Sequence, residues 1–381
     1  MPGLRPDVDP DGLLEFSVVY TDRALNHMSQ RFQGVMRGLS AVLKEAYAAH
    51  AVAVVPGGGT FGMEAVARQF ARQRRVLVLR NGWFSYRWSQ ILDMAELTPP
   101  EHQRVLCAQP LDDSPQSAWQ PPPLDQVLQA IADHRPEVVF APHVETSAGM
   151  VLPTAYLKAV AAAVHEGGGL MVLDCIASGT VWVDMAEVGI DVLISAPQKG
   201  WSASPGAAFV MMSEAAVERL SHTQSNSFAA DLKKWWQLMQ AYEQGGHLYH
   251  ATLPTDTLAR VLDTMQETRA WGWATAAQAQ WDLGSGVRAL LADHGFASVA
   301  APGFQAPGVV VSHTTHPDVQ SGKAFAALGL QSAAGVPLQC GEGPGFRTFR
   351  LGLFGLDKLQ HIPRTLQALA PVVAQVSRLS A

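Results

Sequence analysis

LMVLDCIASGTVWVDMAEVGIDVLISAPQKGWSASPGAAFVMM, residues 170–212, is the stretch whose reading decides the fold. Leu170 to Leu173 is a short apolar run ending at Asp174. Asp191 to Ser195 is a second, stopping just before Gln198, Lys199 and Gly200. Runs this short and apolar are predicted to be parallel strands buried on both faces. In an open α/β sheet the carboxyl ends of the strands border the ligand crevice, so Asp174 and Lys199 are expected to face one site.

Upstream, strand and helix patterns alternate. From Asn26 to His50, apolar residues recur at helical spacing (Met28, Phe32, Val35, Met36, Leu39, Val42, Leu43, Ala46), which predicts a long amphipathic helix. AVAVV (51–55) reads as a strand, PGGGTFG (56–62) as a turn opening a helix through Glu64 to Arg72, and VLVL (76–79) as a strand leading into Arg80. The prolines at 121–123 precede a helix from near Leu124, and a strand from Glu137 to Ala141 comes before HVETSAGM (143–150). This order predicts an α/β fold with a mostly parallel sheet and helices on both faces. Beyond Met212 the pattern turns helical, over 213–221, 229–244 and one long helix from about Thr255 to Asp282. Strands near Val309–Ser312 and Phe349–Leu353 and a closing helix, Leu359–Arg378, complete a smaller α+β domain. The expected organisation is an N-terminal arm (1–15), a large domain (16–265) and a small C-terminal domain (266–381).

With 381 residues, 48% of them hydrophobic and 16% charged, the chain is expected to be globular and well buried. Its net charge of −6 and its lack of a basic cluster argue against nucleic acid as a partner. Cys107, Cys175 and Cys340 are an odd number without metal-type spacing, which fits reduced thiols in a cytoplasm; no metal site is expected. The N-terminal MPGLRPDVDPDGLLEF has no apolar signal-type core, and no apolar run approaches membrane-spanning length.

Asp174 and Lys199 meet the two requirements of pyridoxal 5′-phosphate: a lysine to form a Schiff base with its carbonyl, and a carboxylate to keep its pyridine nitrogen protonated. The competing reading is an acid closing a strand and a lysine opening a surface loop. The glycine-rich turn before a helix suits a phosphate, with Thr60 adding a hydroxyl. It also satisfies G-x-G-x-x-G through Gly57, Gly59 and Gly62, so a dinucleotide remains open; Arg80 at the next strand end would favour the phosphorylated nicotinamide cofactor. Phe84, at a strand end, can stack on a planar ring or fill the core. Arg350, in an apolar strand, suits a substrate carboxylate or an internal ion pair.

Together these segments resemble the class V aminotransferases among the fold-type I pyridoxal-phosphate enzymes, nearest the alanine–glyoxylate, serine–pyruvate and 2-aminoethylphosphonate–pyruvate transaminase branch. The resemblance runs through roughly residues 50–275 and one short motif at Arg350. It implies a large domain with a seven-stranded-type sheet, and an amino group moved from a small amino acid or aminophosphonate to pyruvate or glyoxylate. Gly58, Gly59 and Thr60 would bind the cofactor phosphate, Phe84 would stack on the ring, and Thr146 would lie near the ring hydroxyl. Asp174 would hold the pyridine nitrogen, Ile176 would pack beneath the ring, and Gln198 and Lys199 would be the phosphate-side glutamine and the Schiff-base lysine. Tyr249 and Thr252 match residues that reach the phosphate from a neighbouring subunit, which implies a homodimer with composite sites. Arg350 matches the arginine that binds the substrate carboxylate.

Two departures bear on the substrate. FSVVYTDRALNH (16–27) stands where the family carries a Gly-Pro-rich segment, so Tyr20, Thr21 and Arg23 are expected to remodel the pocket, with Arg23 available to a second anionic group. Trp83, Tyr86, Trp88 and Trp201 make an unusually bulky aromatic set. Two other activities compete: a cysteine desulfurase, with Cys340 as the mobile nucleophile, and an NADP-dependent oxidoreductase built on Gly57–Gly62. Against the first, Gln198 stands where desulfurases usually carry histidine.

Overall fold

The computed structural model describes residues 5–380, so the first four residues of the expected arm and Ala381 lie outside the described range. Seven strands build the large sheet, in the spatial order Ala51–Gly57, Gly206–Met212, Val192–Ser195, Leu170–Asp174, Val138–Pro142, Val76–Arg80 and Gln103–Cys107. From Val192–Ser195 outward to Gln103–Cys107 all neighbours are parallel. Gly206–Met212 alone runs antiparallel to both its neighbours. The expected α/β architecture is therefore present, and Leu170–Asp174 holds the middle position with all five residues buried. Its register sets Asp174 beside Pro142 on one side and Ile194 on the other.

Helix Gln30–Tyr47 begins later than its periodicity implied, because Ser29 accepts the Phe32 N–H at 3.0 Å and so caps it. Its buried face (Phe32, Met36, Leu39, Leu43) packs on the sheet side. Several elements escaped the sequence reading, helix Thr154–Glu166 among them. Gln103–Cys107 is an outer strand whose Gln and Arg interrupt the apolar pattern, and Gly206–Met212 follows the loop after Lys199. Helix Trp83–Met94 is rich in aromatic and polar residues, and its start depends on a distant carboxylate described below.

The long helix expected over Thr255–Asp282 is two helices, Thr255–Trp271 and Trp273–Asp293. Gly272 breaks it with φ 102°, a backbone angle that side-chain-bearing residues rarely adopt. Trp273 then turns into an aromatic cluster, 5.2 Å from the Trp182 ring and 5.9 Å from that of Trp201. One apolar core gathers residues from Leu25 to Met265 and another gathers residues from Ala279 to Val376, so the break falls between them. The second core lies around a three-stranded antiparallel sheet, Val309–His313, Thr348–Gly352 and Ala333–Ala334, and helix Ile362–Ser380. Among the described residues no helix is long and apolar enough to cross a membrane, and no group of His, Cys, Asp or Glu is placed to hold a metal.

The turn that carries Lys199 is fixed by close backbone approach: a Cβ built on Gly200 would lie 1.9 Å from the Gly179 carbonyl oxygen. Gly200→Ala is therefore expected to destabilise the protein by about 3 kcal/mol or more, since backbone must move. Gly34→Ala is the control: a Cβ there meets nothing within 4 Å on the Gln30–Tyr47 helix, and the change should stabilise by about 0.5–1 kcal/mol. Urea unfolding midpoints read both.

Candidate active site

The carboxyl ends of the parallel strands open into a cavity of about 390 Å³. Gly59, Thr60, Phe84, Thr146, Asp174, Ile176, Gln198, Lys199 and Arg350 all line it, although they come from six separate segments of the chain. Gly58 adjoins them as the extended residue before helix Gly59–Phe70, whose N-terminus faces the cavity and favours an anion there. The close approach of this helix to the floor needs glycine: a Cβ on Gly59 would lie 2.4 Å from Ile176 Cδ1.

Asp174 ends its strand almost fully buried. Its Oδ1 accepts the Ile176 N–H at 2.9 Å. Burial pushes its carboxyl up to about 7, with the Glu145 charge adding to the rise and the Ile176 N–H and Arg87 opposing it. Lys199 is pulled below the usual lysine range, first by burial and then by the Arg350 and Arg87 charges. Among the described residues no carboxylate pairs with it, and its ammonium stands 4.9 Å over the Phe354 ring. Arg350, whose strand register places it between Val311 and Ala333, gives its Nε–H to the Ala334 carbonyl at 2.8 Å.

Two residues central to the site went unnoticed in the sequence. Arg87, one helical turn beyond Phe84, lines the cavity, donates to Thr60 Oγ1 at 3.1 Å and lies 4.8 Å over the Phe84 ring. The i, i+3 spacing within WFSYR was the available signal. The other is Glu145, fully buried beside Thr146. It accepts hydrogen bonds from the backbone N–H groups of Phe84 (3.2 Å), Ser85 (2.9 Å) and Ser147 (3.1 Å), and from the hydroxyls of Ser85 and Ser147 (both 2.7 Å). This carboxylate caps helix Trp83–Met94 from the loop after the neighbouring strand and so fixes where Phe84 and Arg87 point.

The remaining expected residues lie elsewhere in the chain. Tyr249 and Thr252 join hydroxyls at 3.0 Å, the Tyr249 ring lies 5.4 Å from His27, and Tyr20 donates to the Leu253 carbonyl at 3.1 Å. None of them, nor the exposed Arg23, lines the cavity. A larger depression of about 680 Å³ lies along the N-terminal segment and contains none of the strand-end residues. The bulky aromatic set does not form one cluster: Trp88 stacks on Phe140 at 4.3 Å in the core, Trp201 is buried near Trp182, and Trp83 pairs with Tyr86. Cys340 is also outside the cavity, its thiol on the Arg80 carbonyl at 3.4 Å. The glycine turn does not have the setting of a dinucleotide fingerprint, because Ala51–Gly57 pairs only with an antiparallel strand.

A mostly parallel sheet with a lysine and an unpaired buried acid at its strand ends defines a fold-type I pyridoxal-phosphate enzyme. The family model of the class-V aminotransferases matches residues 15–291, and the chain belongs to that family as a pyridoxal-phosphate-dependent aminotransferase. It is 30% identical to the 2-aminoethylphosphonate–pyruvate transaminase of Paraburkholderia phymatum over 78% of this chain and 76% of that one. It is 31% identical to 2-aminoethylphosphonate–pyruvate transaminase 2 of Paraburkholderia xenovorans over 88% and 84% of the two chains. Its fold is also that of the alanine–glyoxylate aminotransferase of Nostoc sp., with a TM-score of 0.75 over 92% of this chain and 88% of that one, at 21% identity.

The residues present fit this cofactor. Among the described residues Asp174 is a desolvated acid in no ion pair, and Gln198 Oε1, at the cavity wall, is buried without a hydrogen-bond partner. Both complement a ligand carrying a protonated ring nitrogen and donor groups.

Two measurements check this geometry. Because the folded Asp174 binds its proton up to about pH 7 and the unfolded one only to about pH 4, the cofactor-free protein should lose stability as pH rises across that window. Asp174→Asn should flatten this loss, on the order of a few kcal/mol in urea titrations at pH 5 and pH 8. Glu145→Gln turns an amide toward N–H donors and is expected to cost about 2–3 kcal/mol in thermal unfolding, against about 1 kcal/mol for Ser147→Ala, and to weaken pyridoxal-phosphate binding in equilibrium titration.

Proposed function

We propose that this enzyme transfers an amino group from a small acidic amino donor, with 2-aminoethylphosphonate first among the candidates, to pyruvate or glyoxylate. The observation that carries this reading is the pair of guanidinium groups flanking Phe84: Arg87 at 4.8 Å, on the Thr60 side, and Arg350 at 5.4 Å. A cavity with two such cations and a lysine accommodates two anionic groups. Thr60, Arg87 and the helix N-terminus at Gly59 would hold the cofactor phosphate, which leaves Arg350 for the acid group of the substrate. A donor with a phosphonate and an acceptor with a carboxylate can then share Arg350 in the two half-reactions. The names of the Paraburkholderia relatives support the same pair of substrates.

Pyridoxal phosphate, when bound, supplies a carbonyl that takes up the amino group and a ring that accepts the electron pair left at Cα. The chain does the rest. Phe84 and Ile176 would sandwich the ring, Thr146 would lie by its hydroxyl, and Gln198 would address the phosphate side. Asp174 would keep a proton on the ring nitrogen, where the pairing also relieves its own desolvation. Lys199 would hold the cofactor through its carbonyl carbon and, as a neutral amine, would be the group that takes a proton from the donor carbon and returns it. The lowered lysine pKa supports this role, because a protonated ammonium has no lone pair to offer.

Tyr249 and Thr252 would complete a neighbour's site in a homodimer. Their position outside their own cavity, together with Tyr20, supports that arrangement, and Arg23 would then lie within reach of a second substrate anion across the interface. The separate cores on either side of Gly272 support large and small domains meeting near residues 265–266. The three free thiols support a reducing, cytoplasmic setting.

The deciding experiment follows the visible absorption of the purified, pyridoxal-phosphate-loaded enzyme with alanine, serine, aspartate or 2-aminoethylphosphonate. The aminophosphonate is expected to bleach the band fastest and pyruvate or glyoxylate to restore it. Bleaching by alanine or serine alone would overturn the aminophosphonate assignment. Arg350→Ala should raise KM for both donor and acceptor by about 10-fold or more while changing kcat less, and Lys199→Ala should abolish turnover.

A further inference from the structure

Outside the catalytic cavity the chain brings two of its three thiols together. Cys107 closes the outer strand Gln103–Cys107 and sits in register beside Arg80 of the neighbouring strand. The Arg80 carbonyl accepts the Ala108 N–H at 2.8 Å and also the Cys340 thiol at 3.4 Å. Strand register and this thiol contact thus bring Cys107 and Cys340 to the same residue, Arg80, from two distant parts of the chain. Both are partly exposed, whereas Cys175 is buried.

The turn that presents Cys340 is built to hold it there. The Glu342 carboxylate accepts the N–H groups of Leu338 (2.6 Å), Gln339 (2.9 Å) and Cys340 (2.9 Å), and the Gln339 carbonyl accepts Arg80 Nη1 at 3.2 Å. Nothing in the transfer chemistry uses this arrangement. We propose that Cys107 and Cys340 are a hydroperoxide-reactive thiol pair that closes to a disulfide, tying the outer strand of the large sheet to the Leu338–Glu342 turn.

The two thiols have distinct parts. Cys107 is the attacking sulfur, because the neighbouring Cys340 side chain and then the Arg80 charge favour its thiolate, while Cys340, whose S–H faces the Arg80 and Leu338 carbonyls, keeps its proton. The Cys107 thiolate attacks one oxygen of hydrogen peroxide; an S–O bond forms, the O–O bond breaks, and the departing hydroxide leaves as water with the thiol proton. Cys340 sulfur then displaces hydroxide from the sulfenic sulfur; the S–S bond forms, the S–O bond breaks, and a second water carries off the Cys340 proton. Two thiols lose two electrons and the peroxide is reduced to two waters. A dithiol returns the pair by exchange.

The test treats the pyridoxal-phosphate-loaded enzyme with hydrogen peroxide at neutral pH, blocks free thiols, and counts them after denaturation, alongside a digest made without reductant. Free thiols should fall from three to one, the survivor being Cys175, with one peptide linking Cys107 to Cys340, and dithiothreitol should restore all three. In Cys340→Ser, oxidation should stop at a dimedone-trappable sulfenic acid on Cys107; in Cys107→Ser, Cys340 should oxidise about 10-fold more slowly than in the parent. Loss of both thiols without a linked peptide, a link between separate chains, or equal reactivity of Cys175 would each overturn the proposal. The wild-type digest decides even where a variant folds poorly, and the thiol count does not depend on which amino donor the enzyme uses.

Discussion

Asp174, a carboxylate in no ion pair among the described residues, sits at the end of the fully buried middle strand of the sheet, and the geometry of the site follows from that placement. The parallel partners on either side leave it no lateral solvent, and among the described residues its carboxylate accepts one hydrogen bond, the Ile176 N–H. An acid in such a setting is poorly stabilised in its charged form until something cationic arrives. The same burial lowers the affinity of Lys199 for a proton, with two guanidinium groups helping. One desolvated crevice therefore moves an acid and a base toward neutral pH from opposite directions.

Around this pair the chain spends a second buried acid on order. Among the described residues Glu145 has no ion-pair partner; three backbone N–H groups and two hydroxyls satisfy it instead. Its effect is to pin the first turn of helix Trp83–Met94 to the strand-end loop, which aims Phe84 and Arg87 into the cavity. Arg350, brought by the small antiparallel sheet, closes the opposite side. The cavity is thus walled by elements whose positions are set by three different kinds of hydrogen bonding: parallel ladder, helix cap and antiparallel ladder.

Much of this was legible in the sequence. Asp174, Lys199 and the glycine turn each sit where an apolar run stops, which marks where strands deliver residues to a crevice, and Arg350 stands out as a lone cation inside an apolar strand. What escaped had its cause elsewhere in the chain. Helix Trp83–Met94 has aromatics that fit a strand as well as a helix, and it is stabilised at its start by an acid some sixty residues away. Glu145 was read past because its neighbour Thr146 matched a motif. Gly272 looked like one more residue in a long amphipathic pattern; only the aromatic cluster waiting for Trp273 made a break there favourable. The scattering of Trp83, Tyr86, Trp88 and Trp201 likewise depends on which helix or loop each occupies, which adjacency in sequence does not reveal.

The fastening of Tyr20 to Leu253, and of Tyr249 to Thr252 and His27, has a genetic reading. Under the dimer arrangement proposed above, this unit serves a site that belongs to the other chain. Damage to it would then be felt in trans: a chain altered at Tyr249 keeps its own lysine but spoils its companion. Two inactive alleles, one altered at Lys199 and one at Tyr249, would complement each other when expressed together, because a mixed dimer reassembles one intact site from the undamaged half of each.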